Sequence, residues 1–402
     1  MVLNLQSPSS SQQNFQVYPP DLYTIVAHFL SFLEITPKIT LAIAAGFLFN
    51  WIQIPVGWLL GPMIVGIFYA IAQGHSQPFP PIFMTLGKAF VALTTAARFS
   101  PETLSIVTTY PIPVVLGLLL TGILSLFHGY LLSRWGGIDR VTGLLSFIPG
   151  AASSIVAIAE EMGADAVAIT VLQYVRVLLV MLIIPGVVSL LFPVTSIPEI
   201  SLPLAEAASP SLPLIGNLFI LALCCAIGIL FGKQFRLPAS GFLGTFILGL
   251  VVFWTSPEMI EVPQWLFATG LLFVGLSIGL KFDWKTVKTL WKAVLVDIAL
   301  VLSLIVFCLA IGYGFHLLTQ VDTGTAILGL TPGGIEAMIA TVMQTEGDIG
   351  LVLALQLSRM LTIILVAPWL VTVVFQQGML KKTTTNQKMD FSSIKNSASS
   401  TI

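Results

Sequence analysis

Two stretches, LQYVRVLLV and LQLSRMLTI, each set a glutamine and an arginine three residues apart inside an apolar run: Gln173 with Arg176, and Gln356 with Arg359. Residues three apart share a helix face. An arginine at the centre of a bilayer costs about 2.5–3.5 kcal/mol on insertion scales, so such residues need a reason. One reason is chemistry: a pair of arginines can bind an anionic solute. The other is structural: each can hold carbonyls freed by a neighbouring broken helix. Each arginine also follows an aspartate, Asp165 or Asp348, by eleven residues. That spacing returns to nearly the same face, and an aspartate there suits the cap of the helix start.

The segment before each Gln-Arg pair carries a Pro-Gly in its middle, Pro149-Gly150 in VTGLLSFIPGAASSIVAIAEEMG and Pro332-Gly333 in TGTAILGLTPGGIEAMIATVMQ. Proline there breaks the helix into two halves. Inside a membrane the freed N–H and C=O groups are tolerated only when buried in protein or facing water. In transporters such half-helix ends point their donors at anionic groups. The first break is followed by Ser153 and Ser154, the second by Gly334 and Glu336. Ser153 and Glu336 occupy matching positions, so the two tips differ chemically. A carboxylate at a tip is the best proton or cation site in the chain; the plainer alternative is a glutamate paired with an arginine or facing water.

Other polar residues carry weaker signals. Lys88 lies in an apolar segment from which it can snorkel to the membrane edge. Asp297 and His128 are expected to be local hydrogen-bonding residues, and Asp139 and Asp322 to cap the broken segments. Cys224, Cys225 and Cys308 lie in apolar runs and read as small buried apolar residues. No CxxC, HExxH, GxSxG or Walker pattern occurs and the four histidines are scattered, so neither an enzyme, a cofactor nor a metal is expected.

The elements that hold these residues come in two sets. PVGWLLGPMIVG, from Pro55, aligns with PASGFLGTFILG, from Pro238, at an offset of 183. The same offset pairs Gly87 with Gly270, Asp139 with Asp322, Asp165 with Asp348 and Arg176 with Arg359 without a gap. Duplication is the simplest account. It predicts an arm over 1–38, a first membrane repeat over 39–191, a linker over 192–215, a second repeat over 216–374 and a polar tail over 375–402. The chain is 56% hydrophobic and 9% charged, with mean hydropathy +0.98. Soluble domains carry about 25% charged residues. A net charge of −1 offers no basic surface for nucleic acid.

Lysine and arginine mark cytoplasmic loops. Lys281, Lys285, Lys288 and Lys292 follow the third segment of repeat two, whereas its partner in repeat one has only Arg98. Arg134 and Arg140 follow the fourth segment of repeat one, and its partner has none. This antiphase pattern predicts inverted repeats and an odd number of crossings in each. If the Pro-Gly segments re-enter, the fold is all-α and polytopic, with about ten transmembrane helices and two re-entrant hairpins. If they cross as broken helices, another segment fails to cross or the repeats are parallel.

IPVGWLLGP, the two Pro-Gly breaks and the two Gln-Arg segments together resemble the bacterial membrane AbrB family, over about 39–375. The resemblance implies this duplication, and it brings labels of ammonia monooxygenase and of regulator of gene expression. The sequence holds no clustered histidine and carboxylate ligands for an oxygenase and no basic soluble domain for DNA. Two readings go forward. One is a secondary transporter in the plasma membrane, with partners limited to the bilayer, a small solute, a coupling ion and further copies of the chain. The other is a membrane protein that alters gene expression indirectly. An oxygenase, which needs bound metal, is the least expected.

Overall fold

The computed structural model describes residues 22–99, 110–148, 155, 159, 164–192, 214–235, 237, 239–255 and 260–362, with side chains from Ile35 onward. Helix α1 runs Leu22–Trp51, with Pro37 inside it. It therefore starts within the segment assigned to an arm. The apolar run LYTIVAHFLSFL sustains the helix, and the hydrogen bond lost at Pro37 does not end it. Helices α2 (Gly57–Gln73), α3 (Pro81–Ala97), α4 (Pro111–Trp135) and α5 (Arg140–Phe147) follow. Helix α6 is Ala166–Leu191, α7 is Leu214–Gln234, α8 is Ser240–Thr255 and α9 is Gln264–Gly279. Then come α10 (Trp284–Thr289), α11 (Trp291–Thr319), α12 (Thr323–Leu330), α13 (Ile335–Gln344) and α14 (Ile349–Thr362). The starts of α2, α3, α5 and α6 each lie 183 residues before the starts of α8, α9, α12 and α14.

Local chemistry fixes several of these boundaries. Asp139 Oδ1 accepts from the N–H groups of Val141 and Thr142 at 2.8 and 3.0 Å, and Asp322 Oδ2 from Thr325 N–H at 2.8 Å. Asp165 and Asp348 do the same for Ala168 and Leu351. Each of the four satisfies a donor that a helix start leaves orphaned. Gly74 closes α2 in the left-handed conformation, at φ 74, where a side chain would be strained.

Small residues set the direction of packing. α1 and α2 are antiparallel: Gly61 faces Ala45, and Gly57 faces Asn50. α2 and α9 are parallel: Leu59 meets Gly275, and Met63 meets Gly279. α9 runs against α3, with the Phe83 and Phe273 rings 5.1 Å apart and Gly87 against Gly270. α3 and α8 are parallel, Thr85 meeting Gly241 and Ala96 meeting Gly249. The Gly87–Gly270 contact is reciprocal. A Cβ on either would stand 2.8 or 2.9 Å from the other's carbonyl oxygen, so neither position admits alanine without movement. Helices α4 and α11 are antiparallel, with Gly136 beside Ala293 and His128 beside Ser303. Hence α2 runs opposite to α8, α3 opposite to α9 and α4 opposite to α11.

The second broken segment folds back on itself. If α12 and α13 were stacked end to end, Thr325 and Asp348 would stand roughly 30 Å apart at 1.5 Å per residue. Instead Asp348 N–H donates to Thr325 Oγ1 at 3.1 Å. In the first half Asp165 N–H donates to Thr142 Oγ1, also at 3.1 Å. Each segment thus leaves beside the point where it entered.

Four described helices are long and apolar enough to cross a membrane: α4, α6, α7 from Ile215, and α11. Large apolar side chains cover the outside of these helices, Ile112 being 78% exposed and Ile215 84%. With so little charge on the chain, this surface belongs in lipid. The chain is a membrane protein.

Candidate functional site

The Gln-Arg pairs sit where the first halves of the broken segments end. A helix end leaves its last carbonyls without partners. On α6, Gln173 Nε2 donates to Leu145 O at 3.1 Å and Arg176 Nη1 to Ser146 O at 3.3 Å. The Arg176 guanidinium also lies over the Phe147 ring, 5.9 Å from its centroid. On α14, Gln356 Nε2 donates to Leu328 O at 2.8 Å and Thr331 O at 3.0 Å. Arg359 donates to Leu330 O at 3.4 Å and to Gln356 Oε1. All four side chains are buried. The carbonyl-holding role is therefore present in both halves. It does not use up the five N–H donors of each guanidinium; Arg176 Nε has no hydrogen-bond partner.

The two arginines come from different halves, yet each lies within reach of the other's charge. Their surroundings differ. Asp297, buried on α11, acts electrostatically on Arg176, and its Oδ2 accepts no hydrogen bond. Arg359 instead has Cys308 of α11 beside it, and among the described residues neither arginine forms a direct ion pair with a carboxylate.

The tip of the second hairpin is Thr331–Gly334. A Cβ on Gly334 would fall 2.0 Å from Met181 Cε, and one on Gly333 2.8 Å from Val180 Cγ1. Both contacts belong to α6, about one turn beyond Arg176. Glu336 sits in the first turn of α13, where the helix dipole favours an anion. Its Oε1 is 3.7 Å from Lys88 Nζ. Lys88 stands near the middle of α3, next to the Gly87–Gly270 contact. The expectation that Lys88 snorkels to the membrane edge is corrected: a carboxylate at the hairpin tip supplies a partner at mid-helix. At the 183-residue offset the matching positions are Leu271 and Ser153, so this pair has no counterpart there. Pro332 is buried at the same tip, whereas Pro149, Gly150, Ser153 and Ser154 lie outside the described residues.

Asp297 is likewise more than a local hydrogen-bonding residue. The signal was available in the sequence as charge arithmetic: two arginines in apolar helices call for an acid, and Asp297 lies in an apolar run of its own. His128 behaves as expected, with Nδ1 2.8 Å from Leu124 O and Nε2 3.3 Å from Ser303 Oγ.

The family model described as "Transition state regulatory protein AbrB" matches residues 58–375, which hold both breaks and both Gln-Arg pairs. This chain belongs to the AbrB family. It is 28% identical over 337 residues to an Escherichia coli (strain K12) protein named "Putative regulator AbrB", covering 82% of this chain and 92% of that one. It is 25% identical over 350 residues to "Uncharacterized protein YhjN" of Bacillus subtilis (strain 168), covering 82% and 90%. The matched region thus includes the helices from α2 onward and the cluster around Arg359.

Proposed function

We propose that this AbrB-family chain is a multi-pass plasma-membrane secondary transporter for a small anionic solute, built from two inverted repeats. The opposed directions of α2 and α8, α3 and α9, and α4 and α11 support inversion. The closed bases of both broken segments support re-entrant hairpins, one opening toward each side, with about ten crossings in all. The observation that carries the functional reading is the unequal pair of arginines. Both arginines are buried, one from each half, and only Arg176 has a buried acid, Asp297, within electrostatic reach.

In this reading Arg359 binds the anionic group of the solute, and Gln356 orients the guanidinium. The start of α13, at Gly333 and Gly334, offers backbone donors to the same group. Arg176 with Gln173 holds the end of α5, and Pro149, Gly150, Ser153 and Ser154 are the first-half residues proposed to contact the solute. Glu336, held by Lys88, is the coupling-ion site. The chain has no catalytic role.

The test is accumulation of a panel of radiolabelled mono- and dicarboxylates by proteoliposomes. The parent should accumulate at least one. Arg359→Ala should abolish it, and Glu336→Gln should uncouple it from the ion gradient. Wild-type rates in both variants would remove the site assignment. No accumulation of any panel member by folded parent protein would count against an organic anion as cargo.

The printed names of the family and of the Escherichia coli relative favour a second reading, a membrane regulator that acts on gene expression without binding DNA. Removing residues 381–402 discriminates: altered expression with unchanged flux supports regulation.

A further inference from the structure

Away from the arginines, a cavity of about 330 Å³ opens between the first turns of α6 and the segment that joins α9 to α11. Ser76, Thr170, Tyr174, Lys281, Phe282 and Thr286 are among the residues that line it. Lys281 Nζ donates to the Tyr174 hydroxyl at 3.1 Å and lies 5.5 Å from the centre of that ring. An ammonium has three N–H donors, so two remain. The Tyr174 oxygen accepts that bond and keeps its own proton to donate, and Ser76 adds a further hydroxyl. Asp283, also on the wall, already holds one bond on each carboxylate oxygen. Its Oδ1 accepts from Lys285 N–H at 3.1 Å and its Oδ2 from Thr286 Oγ1 at 2.5 Å. The two free N–H groups of Lys281 and the Tyr174 and Ser76 hydroxyls can donate together to one ligand, and the ligand that uses all of them is a multivalent oxyanion.

The surroundings name its class. Lys285, Lys288 and Lys292 stand on the same short stretch, with Trp284 and Trp291 partly exposed among them. Lys288 lies over the Trp284 ring at 5.4 Å. Tryptophan with lysine marks a membrane–water boundary, and lysine clusters there attract the anionic lipids of the cytoplasmic leaflet. At the 183-residue offset the first half keeps one basic residue, Arg98 for Lys281, and has Glu102, Ser105 and Thr109 in place of the three other lysines. We propose that this cavity is a phosphate-binding site, with Lys281 and Tyr174 as its recognition residues. The phosphate belongs to an anionic lipid headgroup or to a soluble phosphate, and the site is independent of what the protein transports.

The experiment titrates the purified full chain in neutral detergent with phosphatidylglycerol, phosphatidylcholine or inorganic phosphate, reading the melting temperature. Phosphatidylglycerol should raise it and phosphatidylcholine should not. Lys281→Met should weaken the apparent affinity about tenfold, the loss of one charge-assisted bond. Tyr174→Phe, which keeps the ring, should weaken it less, and the exposed control Lys288→Met should leave it intact. Inorganic phosphate that reproduces the shift identifies a soluble ligand; if it has no effect, the lipid is the source. Equal losses in Lys281→Met and Lys288→Met would reduce the effect to diffuse surface attraction and overturn the proposal. So would a parent protein that neither phosphatidylglycerol nor phosphate stabilises.

Discussion

The two Gln-Arg clamps are built from matching residues on matching helices, but the charges around them differ. Arg176 has a buried acid within electrostatic reach, Asp297 of α11, although the two form no direct ion pair. Around Arg359 the described residues leave a positive charge over. The position that matches Asp297 is Val114, and the position that matches Cys308 is Ser125. Burying an ion without a partner is costly, and a fold selected for stability alone would supply a second carboxylate or remove the arginine. The difference separates two roles that one motif can serve. Both arginines prop a broken helix, and the one without an acid in reach is the better placed to take an anionic ligand.

The sharpest way to break this comparison is to reverse the roles. Arg176→Met removes its bond to Ser146 O and the charge that acts on Asp297, and should cost about 2–3 kcal/mol, measured by denaturant unfolding of the purified protein. Adding Asp297→Asn should restore much of that loss, because no charge then remains unpaired. If the double variant is no more stable than the single, Asp297 is not the partner that matters. Arg359→Met removes its bonds to Leu330 O and Gln356 but strands no acid. Its cost should stay below about 2 kcal/mol, while anion accumulation is lost. Equal destabilisation by Arg176→Met and Arg359→Met would make both arginines structural.

The glutamines differ by a smaller margin. Gln356 bonds two carbonyls and supports Arg359, whereas Gln173 bonds one carbonyl. Gln356→Leu should therefore cost about 2 kcal/mol and Gln173→Leu about 1 kcal/mol. A reversed order in unfolding free energy would mean that the first clamp carries more of the fold than its hydrogen bonds show.

What the sequence made legible follows from the range of each interaction. Aspartate caps, proline breaks and the 183-residue offset are local or repetitive, and Asp139, Asp165, Asp322 and Asp348 all cap as their spacing implies. The opposed loop charges anticipated the opposed helix directions because a bilayer sorts lysine and arginine by side. The Lys88–Glu336 and Arg176–Asp297 pairings could not be read in that way. Each joins residues from different halves at positions the duplication does not repeat, so no internal comparison exposes them. Only the packing of α3 against the second hairpin and of α11 against α6 brings them together.

The smallest predicted effect is the one that should not distinguish the halves. Thr142 and Thr325 hold the bases of the two hairpins through the same bond to Asp165 or Asp348, at the same 3.1 Å. Each also donates its hydroxyl to the capping aspartate, Asp139 or Asp322. Valine keeps the shape at either position and removes both bonds, leaving a backbone donor short of its partner at about 1 kcal/mol or a little more. Thr142→Val and Thr325→Val should therefore destabilise equally, and hydrogen exchange should rise at Asp165 and Asp348 in turn. Such equality would show that the scaffold is symmetric down to single hydrogen bonds, so that the functional difference resides in the charges. If Thr325→Val costs clearly more, the second hairpin is strained at its base, and the asymmetry begins in the scaffold.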